Sequence, residues 1–176
     1  MEEQKTDSRL EKELDNIYKT QKEVTVIGQI ASLVDWDQKV SMPPEGIGDC
    51  SEKLALLGGL AHEKFTSKEL KESIGYLSLP ENFEKLSDKD KIVVKRLSKD
   101  VEKTTKLPLE FVEESSRATA QAHNAWEKAK KESNFSIFMP HLEEVVRLNQ
   151  EQAKLIALPG HPYNSLLDGY EEGMTV

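Results

Sequence analysis

Apolar residues recur every three or four positions from Leu10 to Val34: Leu10, Leu14, Ile17, Val24, Ile27, Ala31 and Val34 share that spacing. A repeat of about 3.6 residues gathers such side chains on one face of an α-helix, whereas a strand alternates by two. Residues from about 8 to 34 therefore read as one helix. Ser8 followed by Glu11 offers a capping box at its start. The β-branched run Val24-Thr25-Val26-Ile27 is the one place where a strand competes. At about 1.5 Å per residue this helix is about 40 Å long. A compact domain of 176 residues has a radius of gyration of only about 16 Å. The helix would overhang a lone bundle, so another chain or a further part of the same protein is expected to cover it.

The same spacing holds between the later Pro and Gly breaks. Pro43, Pro44, Gly46 and Gly48 mark a loop over 35–48. A second helix over 49–66, capped by Asp49, carries Cys50, Leu54, Leu57, Ala61 and Phe65 inward. Ser67 caps a third over 67–77 with Leu70, Ile74 and Leu77. A link over 80–86 leads to a fourth over 87–106, opened by Ser87, with Val93, Leu97 and Val101 inward. Pro108 sits where a first turn tolerates it and opens a fifth helix over 108–131. That helix has two stripes, Val112, Thr119, His123 and Trp126 on one side and Phe111, Ser115, Ala118, Ala122, Ala125 and Ala129 on the other. The small residues predict close approach of a neighbour, and the helix is expected to be covered on two sides. The sixth helix, 136–157, turns Phe138, Leu142, Val145, Leu148, Gln152 and Ile156 inward, with Pro140 in its first turn or at a kink. A turn and tail complete 158–176. The expectation is an all-α fold, one helical region over 1–176 built of long antiparallel amphipathic helices.

Charge narrows the partners. With 32 acidic residues against 24 basic, the net charge is -8. Such a chain repels phosphate backbones, so no nucleic-acid partner is expected. The apolar run Ile30 to Val34 is far too short to span a membrane. The charged start Met1-Glu2-Glu3-Gln4-Lys5 does not resemble a signal peptide. Cys50 is the single cysteine, which excludes an internal disulfide and fits a reducing compartment. A cytoplasmic protein is expected.

Complete catalytic constellations are missing. The nitrogen and sulfur ligands available to a metal are His62, His123, His141, His161 and Cys50, and no two histidines lie three or four apart. A helical zinc site needs two histidines one turn apart so that both nitrogens share a face. His62-Glu63-Lys64-Phe65-Thr66 begins that pattern and fails at Thr66. It reads as a surface His-Glu step. His141-Leu142-Glu143-Glu144 runs in the wrong direction for a di-iron bundle motif and stands alone. Cys50 lies on an apolar stripe and reads as core, and His123 as packed beside Trp126. The pairs Glu113-Glu114, Glu143-Glu144 and Glu171-Glu172 read as solvated faces. Gly58-Gly59 sits inside a helical pattern, so no phosphate loop is present. Catalytic residues: none; metal ligands: none.

Four segments together resemble the N-terminal part of the carboxypeptidase Taq family, the thermostable zinc metallocarboxypeptidases. They are Trp36-Asp37-Gln38 with Met42-Pro43-Pro44; Leu54-Ala55-Leu56-Leu57 through Leu60-Ala61-His62-Glu63 to Phe65-Thr66-Ser67; Thr105-Lys106-Leu107-Pro108 through Arg117-Ala118-Thr119, Ala125-Trp126, Asn134-Phe135 and Phe138 to Pro140-His141-Leu142; and Gly160-His161-Pro162-Tyr163 with Leu166-Leu167-Asp168, Tyr170-Glu171 and Gly173-Met174-Thr175. Their order matches and they cover essentially the whole chain. Glu172 stands where the family pattern has proline. The resemblance implies an all-helical fold around a long groove, with these helices as its wall and cover. It also implies zinc or another divalent metal, cobalt included, in the complete enzyme, and homodimers. The family's two-histidine zinc helix, third ligand and catalytic glutamate lie beyond this region, so no residue here inherits those roles.

Two functional readings follow. In the first, the chain is the N-terminal segment of a metallocarboxypeptidase. Its partners are then the remainder of that enzyme, in the same or a separate chain, and a peptide substrate. Trp36, Asp37, Met42, His161 and Tyr163 are the candidates to line the groove, against the alternative that they only pin loops to the bundle. In the second, the chain is a naturally truncated, non-catalytic helical module that binds a partner through an apolar face.

Overall fold

The structure, a computed structural model, describes the backbone of residues 2–176 and the side chains from Ser8 onward. Among the described residues every regular element is helical. The α-helices are α1 (Glu2–Val40), α2 (Ile47–Phe65), α3 (Lys68–Leu77), α4 (Pro80–Phe83), α5 (Asp88–Thr105), α6 (Leu109–Glu132), α7 (Met139–Ile156) and α8 (Asn164–Leu167). Single 3-10 turns lie at Pro44–Gly46 and Phe135–Ile137. Where the sequence reads as one helical region, the contacts divide the chain into two compact units. These are Met1–Gln29 with Leu60–Thr105, and Ile30–Gly59 with Lys106–Val176, so α1 and α2 each contribute to both.

In the first unit, Ile17, Leu70, Ile74, Leu77, Leu86, Val94, Leu97 and Val101 form one buried cluster, with Leu10, Leu14 and Tyr18 packed against it. Each fully buried Leu, Ile or Val contributes about 1.5–3 kcal/mol of apolar transfer. Polar residues fix the helix ends around this core. The Ser67 hydroxyl accepts from Leu70 N at 3.3 Å and starts α3. The Ser87 hydroxyl accepts from Asp90 N at 3.2 Å and donates to the Asp90 carboxylate at 2.6 Å, starting α5. Tyr18 of α1 donates to the other Asp90 oxygen at 2.5 Å, which ties α1 to the cap of α5. Ser8 is not the first residue of α1, which already runs from Glu2. The expected link over 80–86 contains α4: Pro80 presets the first turn, and buried Asn82 donates to Tyr76 O at 2.9 Å.

In the second unit, α1 continues past Val34 to Val40, so most of the expected 35–48 loop is helix. Nothing between Trp36 and Val40 breaks a helix, and Lys39 pairs with Asp35 one turn back at 2.6 Å. The helix stops because proline disfavours the helical conformation of the residue before it. Met42 precedes Pro43, and Ser41 N and Met42 N both donate to Asp37 O at 2.9 Å. Asp49 lies inside the first turn of α2 rather than before it.

The buried face of α2 differs from the expected leucine stripe. Cys50, Ser51, Ala55, Gly59 and His62 are buried, while Leu54 and Leu57 are half-buried and Leu56 and Leu60 exposed. Small side chains let this helix approach α6 closely. A Cβ at Gly58 would stand 2.7 Å from the Ser116 hydroxyl, and one at Gly59 would stand 2.8 Å from a Glu113 oxygen and 3.3 Å from Leu109. Arg117 of α6 reaches Glu52 of α2 through two hydrogen bonds at 2.5 and 3.0 Å.

α7 also packs on α6. Ala120, Ala122, Ala125 and Ala129 are buried, and Arg147 of α7 donates to Glu114 of α6 at 2.5 Å. The other expected stripe of α6 is only partly covered: Val112 and His123 are half-buried, while Thr119 and Trp126 are exposed. Leu142 is exposed as well, against its expected place inside α7. Pro140 falls in the first turn, where its missing N–H costs nothing, and α7 begins at Met139 rather than 136. Beyond α7 the chain folds back on α8. Asn164 donates to Pro159 O at 3.2 Å and accepts from Val176 N at 3.0 Å. Leu158 N donates to the Ser165 hydroxyl at 3.0 Å.

Candidate functional site

The five candidate groove residues all lie in the second unit, in two local arrangements. Trp36 and Asp37 are on the last turns of α1, not in a loop, and both side chains are exposed. Met42 is drawn back onto them by its backbone bond to Asp37 O at 2.9 Å. Its half-buried side chain lies where a Cβ at Gly46 would meet it at 3.0 Å. His161 and Tyr163 form the second arrangement. The Tyr163 N–H donates to His161 Nδ1 at 3.2 Å, and both side chains are exposed.

The first arrangement is held by a motif residue outside the five candidates. Gln38 follows Trp36-Asp37 and is 95% shielded, with a relative exposure of 5%. Its amide donates to Ala120 O of α6 at 2.8 Å, and its carbonyl oxygen accepts from Cys50 Sγ of α2 at 3.7 Å. One side chain thus ties three helices. The amphipathic register held the signal: Gln38 falls four residues after Val34 and seven after Ala31 on the inward face. Burial pushes the Cys50 thiol above its usual range, in keeping with its place on the buried face of α2.

Charged groups on this unit pair with one another. Arg147 binds Glu144 at 2.7 Å, Glu151 at 2.9 Å and Glu114 at 2.5 Å. The Arg147 bond holds Glu144 below the usual carboxylate range. Arg117 does the same for Glu52. These ion pairs are solvent-exposed and add little to stability.

Among the described residues no group of three or more His, Cys, Asp or Glu side chains converges as a metal site. His62 is buried rather than on the surface, while Glu63 beside it is exposed. His123 stacks at a tilt on Trp126 at 5.7 Å, and its Nε2 lies 3.4 Å from a Glu127 oxygen without hydrogen-bond alignment. Among the described residues the donor set does not fit a catalytic divalent ion. No described helix is long and apolar enough to cross a membrane.

Four registered motifs on an all-α frame define a class, and the comparisons bear it out. The family model for the carboxypeptidase Taq (M32) metallopeptidases matches residues 16–176, and the chain belongs to that family. It is 32% identical over 151 residues to thermostable carboxypeptidase 1 of Pyrococcus furiosus, a match covering 86% of this chain and 30% of that protein. It is also 32% identical over 155 residues to carboxypeptidase 1 of Bacillus subtilis, covering 88% of this chain and 30% of that protein. The fold superposes on the BsuCP crystal structure with a TM-score of 0.89 and 30% identity, over 94% of this chain and 33% of that one. The structure of Pyrococcus furiosus carboxypeptidase Apo-Mg gives a TM-score of 0.70 and 31% identity, over 92% and 32%. The chain spans about a third of the length of the relatives it matches.

Proposed function

We propose that this chain serves as the helical N-terminal part of a metal-dependent carboxypeptidase that removes C-terminal amino acids from peptides, and that it supplies groove wall and cover. The observation that carries the reading is the family match over residues 16–176, which accounts for about a third of relatives named carboxypeptidases. The placement of the candidates supports it. His161 and Tyr163 present side chains to solvent from a clasped turn, where a peptide can reach them. The metal-binding and bond-breaking groups belong to the rest of the enzyme, and the chain's own residues position and restrict the peptide.

The test splices residues 1–176 into the Bacillus subtilis carboxypeptidase in place of the aligned third. C-terminal amino-acid release is then followed with metal present, beside the isolated chain. The spliced enzyme is expected to trim peptides and the isolated chain is not. Tyr163→Ala in the spliced enzyme is expected to raise KM more than it lowers kcat. Metal-dependent trimming by the isolated 176 residues overturns the reading.

A further inference from the structure

Between Ile30 and Val40, α1 is apolar on two sides. One side turns inward with half-buried Ala31 and Val34 and buried Gln38. The other carries Ile30, Leu33, Trp36 and Val40, which are 46%, 67%, 58% and 63% exposed. At about 100° per residue these four fall within an arc of about 120°, a single row along the helix. A helix apolar on both sides is one that folding buries on both sides. The row leaves on the order of 500 Å² of accessible surface, near the largest patch an ordinary monomer exposes. A second exposed row, Phe135, Met139, Leu142 and Val146, runs onto α7 of the same unit.

Two occupants compete for the α1 row, a second copy and a further stretch of polypeptide. A stable interface between separate chains takes about 800 Å² from each partner, which the α1 row alone does not reach. A covering segment of the same protein needs less, because its docking is intramolecular. The relatives contain further polypeptide that can supply such a segment, since this chain matches only 30% of the length of each of the two carboxypeptidases above. We propose that Ile30, Leu33, Trp36 and Val40 form the seam onto which the remaining two thirds of the metallopeptidase polypeptide packs. The proposal rests on the functional reading given above. Asp37 lies in the same arc, exposed between Leu33 and Val40. The covering surface therefore brings a basic side chain or a free N–H opposite it, because an unpaired carboxylate is costly to bury.

The experiment places a thiol in the row as Leu33→Cys. The one native cysteine, Cys50, is buried, and peptide mapping separates the two sites from any other cysteine. Maleimide labelling at position 33 is timed in the isolated chain, with its mass measured by sedimentation, and in the chain spliced into the Bacillus subtilis carboxypeptidase. Fast labelling of a monomeric isolated chain, slowed at least tenfold in the spliced enzyme, supports the seam. Equal rates overturn it. An isolated chain that sediments as a dimer with position 33 already protected also overturns it, because a second copy is then the occupant. Peptide trimming by the spliced enzyme is read separately: protection at position 33 without trimming keeps the seam and removes the carboxypeptidase reading.

Discussion

Gln38 gives the sharpest test of how the second unit is held. Its side chain is buried and bonds to Ala120 O at 2.8 Å and to the Cys50 thiol at 3.7 Å. Gln38→Ala deletes both and leaves a hole of about 50 Å³, which at about 24 cal/mol per Å³ costs roughly 1 kcal/mol before relaxation. The lost amide bond adds about 1 kcal/mol, for a total of about 2 kcal/mol. Gln38→Glu keeps the shape and reverses the chemistry, because a carboxylate faces the Ala120 carbonyl with no donor between them. Burial and that carbonyl both favour the protonated acid, so the introduced carboxyl takes a folded pKa above its unfolded value of about 4.3. A raised folded pKa preserves stability below the unfolded value and loses it as pH rises through the folded value. The Gln38→Glu penalty is therefore small near pH 4 and grows to about 3 kcal/mol by pH 7.5. Urea unfolding followed by far-UV circular dichroism at both pH values, with wild type measured alongside, reads the differences directly. A Gln38→Ala variant within about 0.5 kcal/mol of wild type, or a Gln38→Glu penalty that does not change with pH, refutes the three-helix tie.

Three further outcomes are expected. Tyr18→Phe removes the bond to Asp90, a charge-assisted contact in a half-exposed setting, and costs about 1 kcal/mol by urea titration near pH 7. The Asp90 carboxyl is held low by Ser87 first and Tyr18 second, and the Tyr18 hydroxyl is held high by Asp90. The wild-type advantage is therefore lost as pH falls through the lowered Asp90 value and again as pH rises through the raised Tyr18 value, with a plateau between; a slope across neutral pH contradicts it. Gly58→Ala gains about 1 kcal/mol of helix propensity but forces the Ser116 hydroxyl, 2.7 Å from the new Cβ, off its bond to Val112 O. A thermal-unfolding double-mutant cycle with Ser116→Ala should show favourable coupling of about 0.5 kcal/mol or more, and additive effects speak against the close approach. Ala157 closes α7 in the left-handed region at φ 50°, so Ala157→Gly should raise stability by about 0.5–1 kcal/mol in urea, and a loss of stability contradicts that conformation.

Local chemistry that acts over three or four residues was legible in the sequence. The 3–4 spacing gave the helices, and Ser67 and Ser87 announced the starts of α3 and α5 because a hydroxyl there meets a free N–H three residues on. The end of α1 lies beyond the expected start of the loop because the prolines and glycines at 43–48 do not break the helix eight residues upstream. Proline constrains most directly the residue before it, and α1 runs on to Val40, two residues short of Met42. The core face of α2 departs from the sequence pattern for a different reason. Hydrophobicity ranks Leu54 and Leu57 above Ser51, Ala55 and Gly59, yet the small residues are buried because α6 comes so close that a Cβ at Gly58 or Gly59 would collide with it. Which face is close-packed depends on the partner helix, and that information lies more than fifty residues away in the chain.

The motif Trp36-Asp37-Gln38 shows how the two kinds of information interleave. Successive helical residues differ by about 100° in direction, so neighbours in one motif can serve opposite surfaces. Gln38 points into the bundle and ties α1 to α2 and α6. Trp36 and Asp37 point outward, into the row that the remaining polypeptide is proposed to cover. A short motif that must satisfy an inner and an outer partner at once is constrained at every position even though none of its side chains carries out chemistry. That double constraint accounts for a family resemblance that is legible from sequence while the catalytic groups lie elsewhere.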